Sequence, residues 1–459
     1  MPQPYMTLVL CFDGTWNTLK SHTNVSRLYS EIADVSTGSK TQRKFYDEGV
    51  GTHWYDRFGG GALGIGLDGN IRLGYAWLAS VFESERGAQP TGSPGEAPDV
   101  TAKTRQPNGD VIGGAKHSAG LDFLAGSDIY IFGFSRGAFT ARSLGGMINY
   151  LGIPRIDPSA VKPNTLLSEH PAIKEAWDLY DARPLKADSD LVDSGKASTS
   201  LKERIETHRD AVKKFRASGQ YPVRIHFMGV WDTVGALGIP QLIDWLPRPS
   251  NKYLFHDTTL GESIRNAYHA MAIDEHRAAY KTTLWTAAKP TTEKVEQRWF
   301  PGAHADVGGG YPDDLLHSLP LEWLAVKAAL CGLEFVNDRH IELSDNSVPE
   351  SMPMAPATFD LDGTEYLSPI HDSYKEMLDG WYEMARSVTF QGRVYRRMLV
   401  NEDGTNQSID PSAFQKWKAD PDYRPPNLAQ AGRTDVTFTV AQWEAQAALA
   451  MQAPKPEEK

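Results

Sequence analysis

Cysteine is scarce in this chain, since Cys11 and Cys331 are the only two and each lies in an apolar stretch. This usage is typical of buried free thiols and excludes a disulfide framework. Positive charge is also in deficit, because 47 Lys and Arg stand against 58 Asp and Glu, for a formal net charge of -11. Nucleic-acid grooves need clustered basic residues, so the composition argues against a nucleic-acid partner.

Long apolar runs are missing as well. No stretch approaches the roughly 20 apolar residues that a membrane-spanning helix needs. The amino terminus has no basic region, and its apolar run at 7–12 is too short for a signal peptide. The sequence therefore predicts a protein without a transmembrane segment, made in the cytoplasm, whose export would use a route that needs no signal peptide.

The chain otherwise has the composition of a globular protein, with 41% hydrophobic and 23% charged residues. Nearly continuous apolar runs at 7–12, 128–132 and 223–231 are typical of strands buried on both faces. Apolar residues at helical spacing follow Gly137 and recur through 321–330. Strands that alternate with helices predict an α/β fold, with a mostly parallel sheet flanked by helices.

The domain organisation is less directly encoded. A length of 459 residues suggests two or three domains at about 150 residues each, but a single elaborated α/β domain over 1–459 is the prediction. Three polar or Gly- and Pro-rich stretches, at about 83–120, 157–220 and 337–367, are predicted to be insertions that form a lid or cap. Residues 450–459 are predicted to be a frayed tail.

The strongest local signal is the segment Gly133-Phe134-Ser135-Arg136-Gly137, which matches the G-x-S-x-G elbow between a strand and a helix. In such an elbow the serine sits on a strained turn, and the glycines let neighbouring backbone pass without clashes. The pattern also arises by chance, and the serine then merely caps a helix. The preceding strand and the small residues that follow favour Ser135 as a nucleophile.

A serine hydroxyl is a weak nucleophile, so it needs a base that is oriented by a third group. In α/β-hydrolases these residues follow the chain order serine, acid, histidine. Asp232 comes directly after the run at 223–231, at the sheet edge where ligands bind, although an acidic helix cap is the alternative. His304 follows in the glycine-rich stretch GAHADVGGGY, which suits a base that must approach the serine closely.

Other histidines compete for the role of the base. The rivals are His226 within a strand, His269 and His276 on an expected helix, and His371 in the sequence Ile-His-Asp-Ser. Chain order and the glycine-rich setting favour His304 over all four.

Acyl transfer also needs backbone donors for the developing oxyanion. Arg136 supplies the N–H that follows the nucleophile, and Gly14 or Thr15, in the loop after the first strand, is the candidate for the second donor. Asp13 in the same loop is either a supporting catalytic residue or an acceptor of hydrogen bonds from loop amides.

A metal site can be drawn from Asp13, Asp232, His304 and Asp306, but no H-E-x-x-H or H-x-D-H spacing supports it. No metal and no cofactor is therefore expected, and Asp306 is retained as a supporting residue of the site.

A glycine-rich run at 59–66 resembles a phosphate-binding loop but lacks the following Lys-Ser/Thr. A lid hinge or tight packing is the preferred interpretation. Nearby Trp54, Phe58, Trp77 and Leu78 belong either to an apolar lid or, as the favoured alternative, to the core.

The chain contains five blocks in a fixed order: CFDGTWN, FYDEGVGT, GFSRGAFTAR, GVWDTVGALG and WFPGAHADVGGGY, with IHDS and YRPPNL nearer the end. Together, from about Thr7 to Leu428, they resemble the α/β-hydrolase domain family that includes the first class of type VI secretion phospholipase effectors. The resemblance implies an α/β-hydrolase fold in which Ser135, Asp232 and His304 form the catalytic triad.

The characterised effectors of that family are phospholipases A. The resemblance therefore implies acyl esters of glycerophospholipids as substrates, transient contact with a membrane surface, and a secretion-system or immunity protein as partner. The expected activity is lipase- or phospholipase A-like ester hydrolysis through an acyl-serine intermediate. The alternatives are another acyl or polyester hydrolase, such as a deacetylase or thioesterase, with the same triad, or a catalytically silent binding module on the same fold.

Overall fold

The computed structural model describes residues 5–14, 17–37, 40–49, 62–87, 127–157, 166–221, 223–235, 259–277, 280–311, 315–336, 363–372, 397, 399 and 404–431. The predictions about Thr15, Trp54, Phe58, most of the first and third insertions and the frayed tail lie outside these residues.

The strands of the described residues are β1 (Tyr5–Phe12), β2 (Val35–Thr37), β3 (Lys40–Asp47), β4 (Ser127–Phe134), β5 (Ile153–Pro154), β6 (Gln220–Tyr221), β7 (Arg224–Trp231), β8 (Ile264–Ala272), β9 (Lys294–Phe300) and β10 (Gln407–Ile409). One 8-stranded sheet has the order β10-β9-β8-β7-β4-β1-β3-β2, and β5 pairs separately with β6. Within the large sheet only β2 runs antiparallel to its neighbour. The three strands predicted from apolar runs are confirmed as β1, β4 and β7.

The helices of the described residues are α1 (Asn24–Glu31), α2 (Ala62–Gly87), α3 (Arg136–Leu151), α4 (Pro171–Asp181), α5 (Lys186–Asp193), α6 (Thr199–Ala217), α7 (His304–Gly308), α8 (Ser318–Leu330), α9 (Pro411–Ala419) and α10 (Pro426–Ala431). Short 3-10 helices lie at Leu19–Ser21, Leu167–Glu169 and Glu365–Leu367. A mostly parallel sheet flanked by helices confirms the predicted fold class.

Helices cover both faces of the central strands. On β1, Leu8 and Leu10 pack with α2 and α3, whereas Val9 and Cys11 pack with α1 and α8. Because successive side chains of a strand point to opposite faces, burial on both sides requires a nearly continuous apolar sequence. Cys11 is a buried free thiol, as expected, and Cys331 is free and partly exposed.

The second expected insertion, 157–220, contains α4, α5 and α6. Ile173 and Tyr180 of α4, and Val212 and Phe215 of α6, belong to the same apolar cluster as α3 and the sheet. This segment therefore shares the central core. Its role as a cap and the single-domain organisation of the chain both stay predictions.

Helix α2 begins within the glycine-rich run at 59–66, and residues 83–87 of the first expected insertion are helical rather than loop. Leu78 is fully buried and Trp77 packs on Phe45 with ring centroids 5.4 Å apart, so the core alternative is confirmed for Trp77 and Leu78. Although α2 has 26 residues, no described helix combines the length and the apolar character of a membrane span.

Candidate active site

Ser135 forms the turn between β4 and α3. Its backbone has φ 57° and ψ −120°, a geometry that is strained for a residue with a side chain. A Cβ on Gly133 would overlap the carbonyl oxygen of Gly137, and a Cβ on Gly137 would overlap the carbonyl oxygen of Phe12. Glycine is therefore required on both sides of the serine, which is the steric reason for the elbow pattern.

Asp232 is the first residue after β7, the strand that lies beside β4. Its backbone N donates to the carbonyl oxygen of Ala270 at 2.7 Å, and Ala272 N donates to its Oδ1 at 3.2 Å. The residue is 0% exposed. These contacts with β8 hold the carboxylate at the carboxyl-terminal edge of the sheet, where ligands bind in parallel sheets.

His304 begins α7, just after β9. In the tautomer protonated at Nδ1, its Nδ1 donates to Asp232 Oδ2 at 2.6 Å, and Ser135 Oγ donates to its Nε2 at 2.8 Å. The ring contacts those of Phe134 and Tyr280, with centroids 4.7 and 5.0 Å away. Three side chains that follow three different strands thus form one continuous hydrogen-bonded chain.

Buried carboxylates anchor the backbone that carries His304. Asp274 Oδ2 accepts from Gly302 N at 2.7 Å, and Gly302 has a φ of 116° that favours glycine. A Cβ on Gly308 would overlap the ring of the phenylalanine in the elbow. The glycines of this stretch therefore allow the loop to pass beside the elbow, as the sequence predicts.

Charge at the site is set by burial and by ion pairing. Burial by itself would raise the pKa of Asp232, but the Arg397 guanidinium and the hydrogen bond from His304 hold that pKa below its usual range. Burial lowers the pKa of His304, while the hydrogen bond and negative charge of Asp232 oppose that shift. An ionised carboxylate and a neutral imidazole are the states that suit an orienting acid and a general base.

Arg397 is a residue of the site that the sequence does not reveal. Its Nη1 and Nη2 donate to Oδ1 and Oδ2 of Asp232 at 2.6 and 2.9 Å, and the same atoms donate to the carbonyl oxygens of Ala272 and Tyr280. Its side chain is 1% exposed. The surrounding sequence, GRVYRRMLV, carries no motif, and Asp232 is 165 residues away along the chain.

A second buried ion pair lies next to His304. Arg277 Nη2 donates to Glu275 Oε2 at 2.7 Å, and the same carboxylate oxygen accepts from His304 N at 3.3 Å. The Arg277 guanidinium lies 3.6 Å from the centroid of the Tyr280 ring. The charged sequence DEHR, which begins two residues after the end of β8, is the signal that could have identified this pair.

Asp306, a predicted supporting residue, belongs to another histidine–aspartate pair. Its Oδ1 accepts from His371 Nδ1 at 2.7 Å, while its Oδ2 accepts from the backbone N of Ala303 at 2.8 Å and of His371 at 3.2 Å. The Tyr311 ring stacks on that of His371, with centroids 3.7 Å apart and planes 14° apart. The pair connects α7 to the segment 363–372.

Asp13 accepts hydrogen bonds from its own loop and from neighbouring elements. Gly14 N donates to its Oδ1 at 2.6 Å, and Thr23 Oγ1 and Tyr46 OH each donate to its Oδ2 at 2.6 Å. Burial raises the pKa of Asp13 to about 6, against these hydrogen bonds. This geometry matches the alternative in which Asp13 accepts hydrogen bonds from loop amides. The Gly14 N–H, which the sequence predicts as an oxyanion donor, is bonded to Asp13.

Arg136, the other described oxyanion candidate, is the first residue of α3 and directly follows Ser135. Its backbone N–H lies at the amino-terminal end of the helix, where the helix dipole favours negative charge. Thr15 lies outside the described residues.

The structure places the rival histidines elsewhere. His269 lies on β8, so the helix expected there is wrong. A strand covered on both faces reads as an apolar run that periodicity cannot distinguish from a helix. Thr233 N donates to His269 Nε2 at 3.1 Å, and burial lowers the pKa of His269 to about 3. His276 lies in the irregular segment after β8, also not on a helix, and His226 lies on β7 as expected.

The residues from which a metal site can be drawn are engaged with other partners. Asp232 and His304 bond to each other, while Asp13 and Asp306 bond to separate donors. Within the described ranges, no group of three or more His, Cys, Asp or Glu side chains has the arrangement of a metal site.

A cavity of 720 Å³ lies along α3, with Phe139, Arg142, Trp177 and Trp285 among its lining residues. Its described lining does not include Ser135, Asp232 or His304.

A serine on a strained strand-to-helix turn, with a histidine and a carboxylate after other parallel strands of the same sheet, is the arrangement of α/β-hydrolase-like proteins. The fold and the site together define the chain as a protein of this class. Comparison with known families goes further, because residues 6–327 match the family described as "T6SS, Phospholipase effector Tle1-like, catalytic domain". The chain belongs to this family of phospholipase-like hydrolases, which confirms the resemblance found in its sequence.

Individual relatives are distant. The chain is 26% identical over 283 residues to the uncharacterized protein YEL023C of Saccharomyces cerevisiae (strain ATCC 204508 / S288c), covering 61% of this chain and 32% of that protein. A solved Tle1 effector bound to the VgrG spike from the type VI secretion system is 17% identical, with a TM-score of 0.33 and coverage of 68% of this chain and 52% of the other. An uncharacterized protein from Pseudomonas aeruginosa is 18% identical, with a TM-score of 0.36 and coverage of 72% and 46%. The chain thus spans about half, or less, of the length of these relatives.

Proposed function

We propose that the protein is a serine hydrolase of carboxylic esters, of the lipase or phospholipase A type. The observation that carries this proposal is the hydrogen-bonded chain from Ser135 through His304 to Asp232, with distances of 2.8 and 2.6 Å. Membership of a phospholipase effector family supports the substrate class. Such chemistry needs a nucleophile, a base and an orienting acid, and requires no cofactor.

In the first step, His304 Nε2 would take the hydroxyl proton of Ser135 as Oγ attacks the acyl carbonyl carbon. The carbonyl electron pair moves to oxygen, and a tetrahedral oxyanion forms. The Arg136 N–H is the proposed first donor to this oxyanion. The Gly14 N–H could join it only after release from its present carboxylate partner, and Thr15 is the remaining candidate.

Collapse of the tetrahedral intermediate would break the bond between the acyl carbon and the alcohol oxygen, and the imidazolium of His304 would give its proton to that oxygen. The acyl group remains on Ser135 Oγ. A water molecule then attacks the acyl-serine while His304 takes its proton, which releases the carboxylic acid and restores the serine. Asp232 stays ionised throughout, holds the tautomer and stabilises the imidazolium.

The proposed substrates, partners and location come from the family. We propose acyl esters of glycerophospholipids as substrates, reached by transient contact with a membrane surface. A solved Tle1 effector is bound to a VgrG spike, so a secretion spike protein is a proposed partner here, and an immunity protein is another. The protein would be made in the cytoplasm of the producing cell and exported without a signal peptide.

Replacement of the nucleophile tests the proposal. Ser135→Ala should lower ester turnover by about 10³-fold or more, measured by mass spectrometry of products released from a mixed lipid and ester library. Ser143→Ala is the matched control, because Ser143 is also buried and lies two helical turns further along α3. A fluorophosphonate probe should label Ser135 in the wild type. Undiminished turnover by Ser135→Ala would refute the nucleophile assignment.

The same library separates the alternatives. Release of fatty acid from phospholipid vesicles supports a phospholipase, whereas a preference for short acyl esters or thioesters indicates another acyl hydrolase with the same triad. Vesicle association without turnover of any ester would instead favour a catalytically silent binding module.

A further inference from the structure

Arg397 holds both carboxylate oxygens of Asp232. The two contacts, 2.6 Å from Nη1 to Oδ1 and 2.9 Å from Nη2 to Oδ2, form a parallel fork that restricts rotation of the carboxylate. Oδ2 is also the atom that accepts from His304 Nδ1. The orientation of the acceptor for His304 therefore depends on a side chain from a distant part of the sequence.

The guanidinium also changes the charge that His304 experiences. A triad carboxylate stabilises the imidazolium that forms when the base takes a proton. A cation bonded to the same carboxylate opposes that stabilisation, and does so more strongly where water is excluded. Arg397 should therefore orient the acceptor and, at the same time, weaken its effect as a counter-ion.

Titratable and charged groups from several elements surround His304. Among the described residues, these groups are Ser135 of the elbow, Asp232 after β7, Glu275, Arg277 and Tyr280 after β8, and Arg397, while Asp306 lies two residues further along α7 and is paired with His371. The two carboxylates that accept hydrogen bonds from His304 are each bonded to a guanidinium, Asp232 to Arg397 and Glu275 to Arg277. Loss of the Arg397 charge would leave one negative charge in excess and favour the protonated imidazole.

We propose that Arg397 is a positioning residue that sets the basicity of His304 by acting through Asp232. The guanidinium fixes the carboxylate that holds the imidazole. With Arg397 paired to Asp232, the imidazole of His304 stays neutral down to a lower pH than it would beside an unpaired Asp232. The consequence for ester turnover rests on the proposed function, whereas the effect on His304 can be measured without any turnover.

Nuclear magnetic resonance titration of nitrogen-15-labelled imidazole in the Ser135→Ala protein tests the charge effect directly, with His304→Ala used to assign the signal. Arg397→Gln should raise the titration midpoint of His304 by about one pH unit or more. Arg397→Lys keeps the charge and should leave the midpoint close to that of its parent. An unchanged midpoint in folded Arg397→Gln protein would overturn the proposal.

Kinetics separate orientation from charge. In a pH profile of kcat/KM, Arg397→Lys should lower the plateau by about 10-fold or more, because an ammonium cannot hold both oxygens in a fixed fork. The acid limb, where kcat/KM falls as His304 becomes protonated, should stay at the same pH in this variant. Arg397→Gln should lower the plateau and move the acid limb to higher pH. A wild-type plateau in Arg397→Lys would overturn the orienting role.

The Asp232→Asn background shows whether Arg397 acts through Asp232. In that background Arg397→Gln should add little further loss, because residues that act as a unit give non-additive effects, and fully additive losses would overturn the proposal. The double variant Asp232→Asn/Arg397→Gln removes both buried charges together, so it leaves no unpaired buried charge. If Arg397→Gln alone does not fold, the double variant and Arg397→Lys still test the proposal. Turnover retained by Ser135→Ala would refute the proposed function only, because the titration does not depend on turnover.

Discussion

The chain builds a histidine–aspartate pair twice at one edge of its sheet. In the first pair His304 Nδ1 donates to Asp232 at 2.6 Å, and in the second His371 Nδ1 donates to Asp306 at 2.7 Å. Both carboxylates are 0% exposed. The bond between histidine and carboxylate does not by itself separate the two pairs.

Their surroundings do separate them. Nε2 of His304 accepts from Ser135 Oγ at 2.8 Å, whereas the ring of His371 stacks on Tyr311. The Asp232 carboxylate is held by a guanidinium, whereas Asp306 Oδ2 is held by two backbone N–H groups. One pair adjoins a hydroxyl that can react, and the other adjoins the backbone of the loop. We therefore expect the first to determine the reaction rate and the second to hold the His304 loop in place.

Removal of each imidazole in turn should give the largest contrast. His304→Ala should lower kcat/KM for an ester substrate by about 10³-fold or more, because Ser135 loses its base, and the fold should persist because Arg397 still neutralises Asp232. His371→Ala should lower it by less than about 10-fold. Circular dichroism is the control for folding. Equal losses in two folded variants would remove the distinction between the pairs.

Neutralising the two carboxylates should give the next largest contrast. Asp232→Asn should lower kcat by about 10³- to 10⁴-fold, because an amide no longer holds the His304 tautomer. Asp306→Asn should mainly lower the free energy of unfolding, by about 1–3 kcal/mol, because buried donors lose an acceptor. Urea unfolding and steady-state kinetics measure the two effects. A stable Asp306→Asn protein as inactive as Asp232→Asn would contradict this assignment.

The pH dependence of kcat/KM should also arise from the first pair, His304 and Asp232, and not from the second. The neutral imidazole is the active base, so kcat/KM should fall as the pH drops through the pKa of His304. Because burial lowers that pKa, the acid limb should lie below the ordinary histidine value of 6.5. His371→Ala should leave the limb in place in a pH profile recorded within the range of stable folding. An acid limb that moves in this variant would show that the second pair also titrates with the reaction.

The smallest effect should come from the aromatic ring over the second pair. Tyr311→Leu removes the stacking on His371 and should lower the free energy of unfolding by about 0.5–1.5 kcal/mol. Because Tyr311 acts on the loop, kcat should stay close to wild type. Thermal unfolding and kinetics of the variant test this, and a large loss of kcat at unchanged stability would place Tyr311 in contact with the reacting groups.

Much of the sheet can be predicted from the sequence because the rules involved are local. Strands β1, β4 and β7 coincide with nearly continuous apolar runs, since a strand covered on both faces needs apolar side chains at every position. The elbow can be predicted from the sequence for a steric reason, because Gly133 and Gly137 lie where any side chain would overlap backbone atoms. The positions of Ser135 and Asp232 at strand ends follow from these elements.

Other features depend on conformation and cannot be predicted in this way. The segment IRNAYHAMA of β8 mixes apolar residues with Arg, Asn and His and fits a helix as well as a strand, so His269 is expected on the wrong element. The Gly14 N–H is a reasonable oxyanion donor by position, yet it donates to Asp13. Whether a carboxylate reaches the next backbone N–H depends on loop dihedral angles, which residue types do not fix.

The amino-acid sequence by itself determined strands β1, β4 and β7 of the central sheet, the elbow and the order serine, acid, histidine, because periodicity and the steric needs of a turn are local properties. The tertiary structure decided that His304 comes within hydrogen-bonding distance of Ser135 and that Arg397 is the cation that pairs with Asp232. Those contacts join residues 169 and 165 positions apart. Their distances depend on how parallel strands lie side by side, and no spacing within the sequence encodes that arrangement.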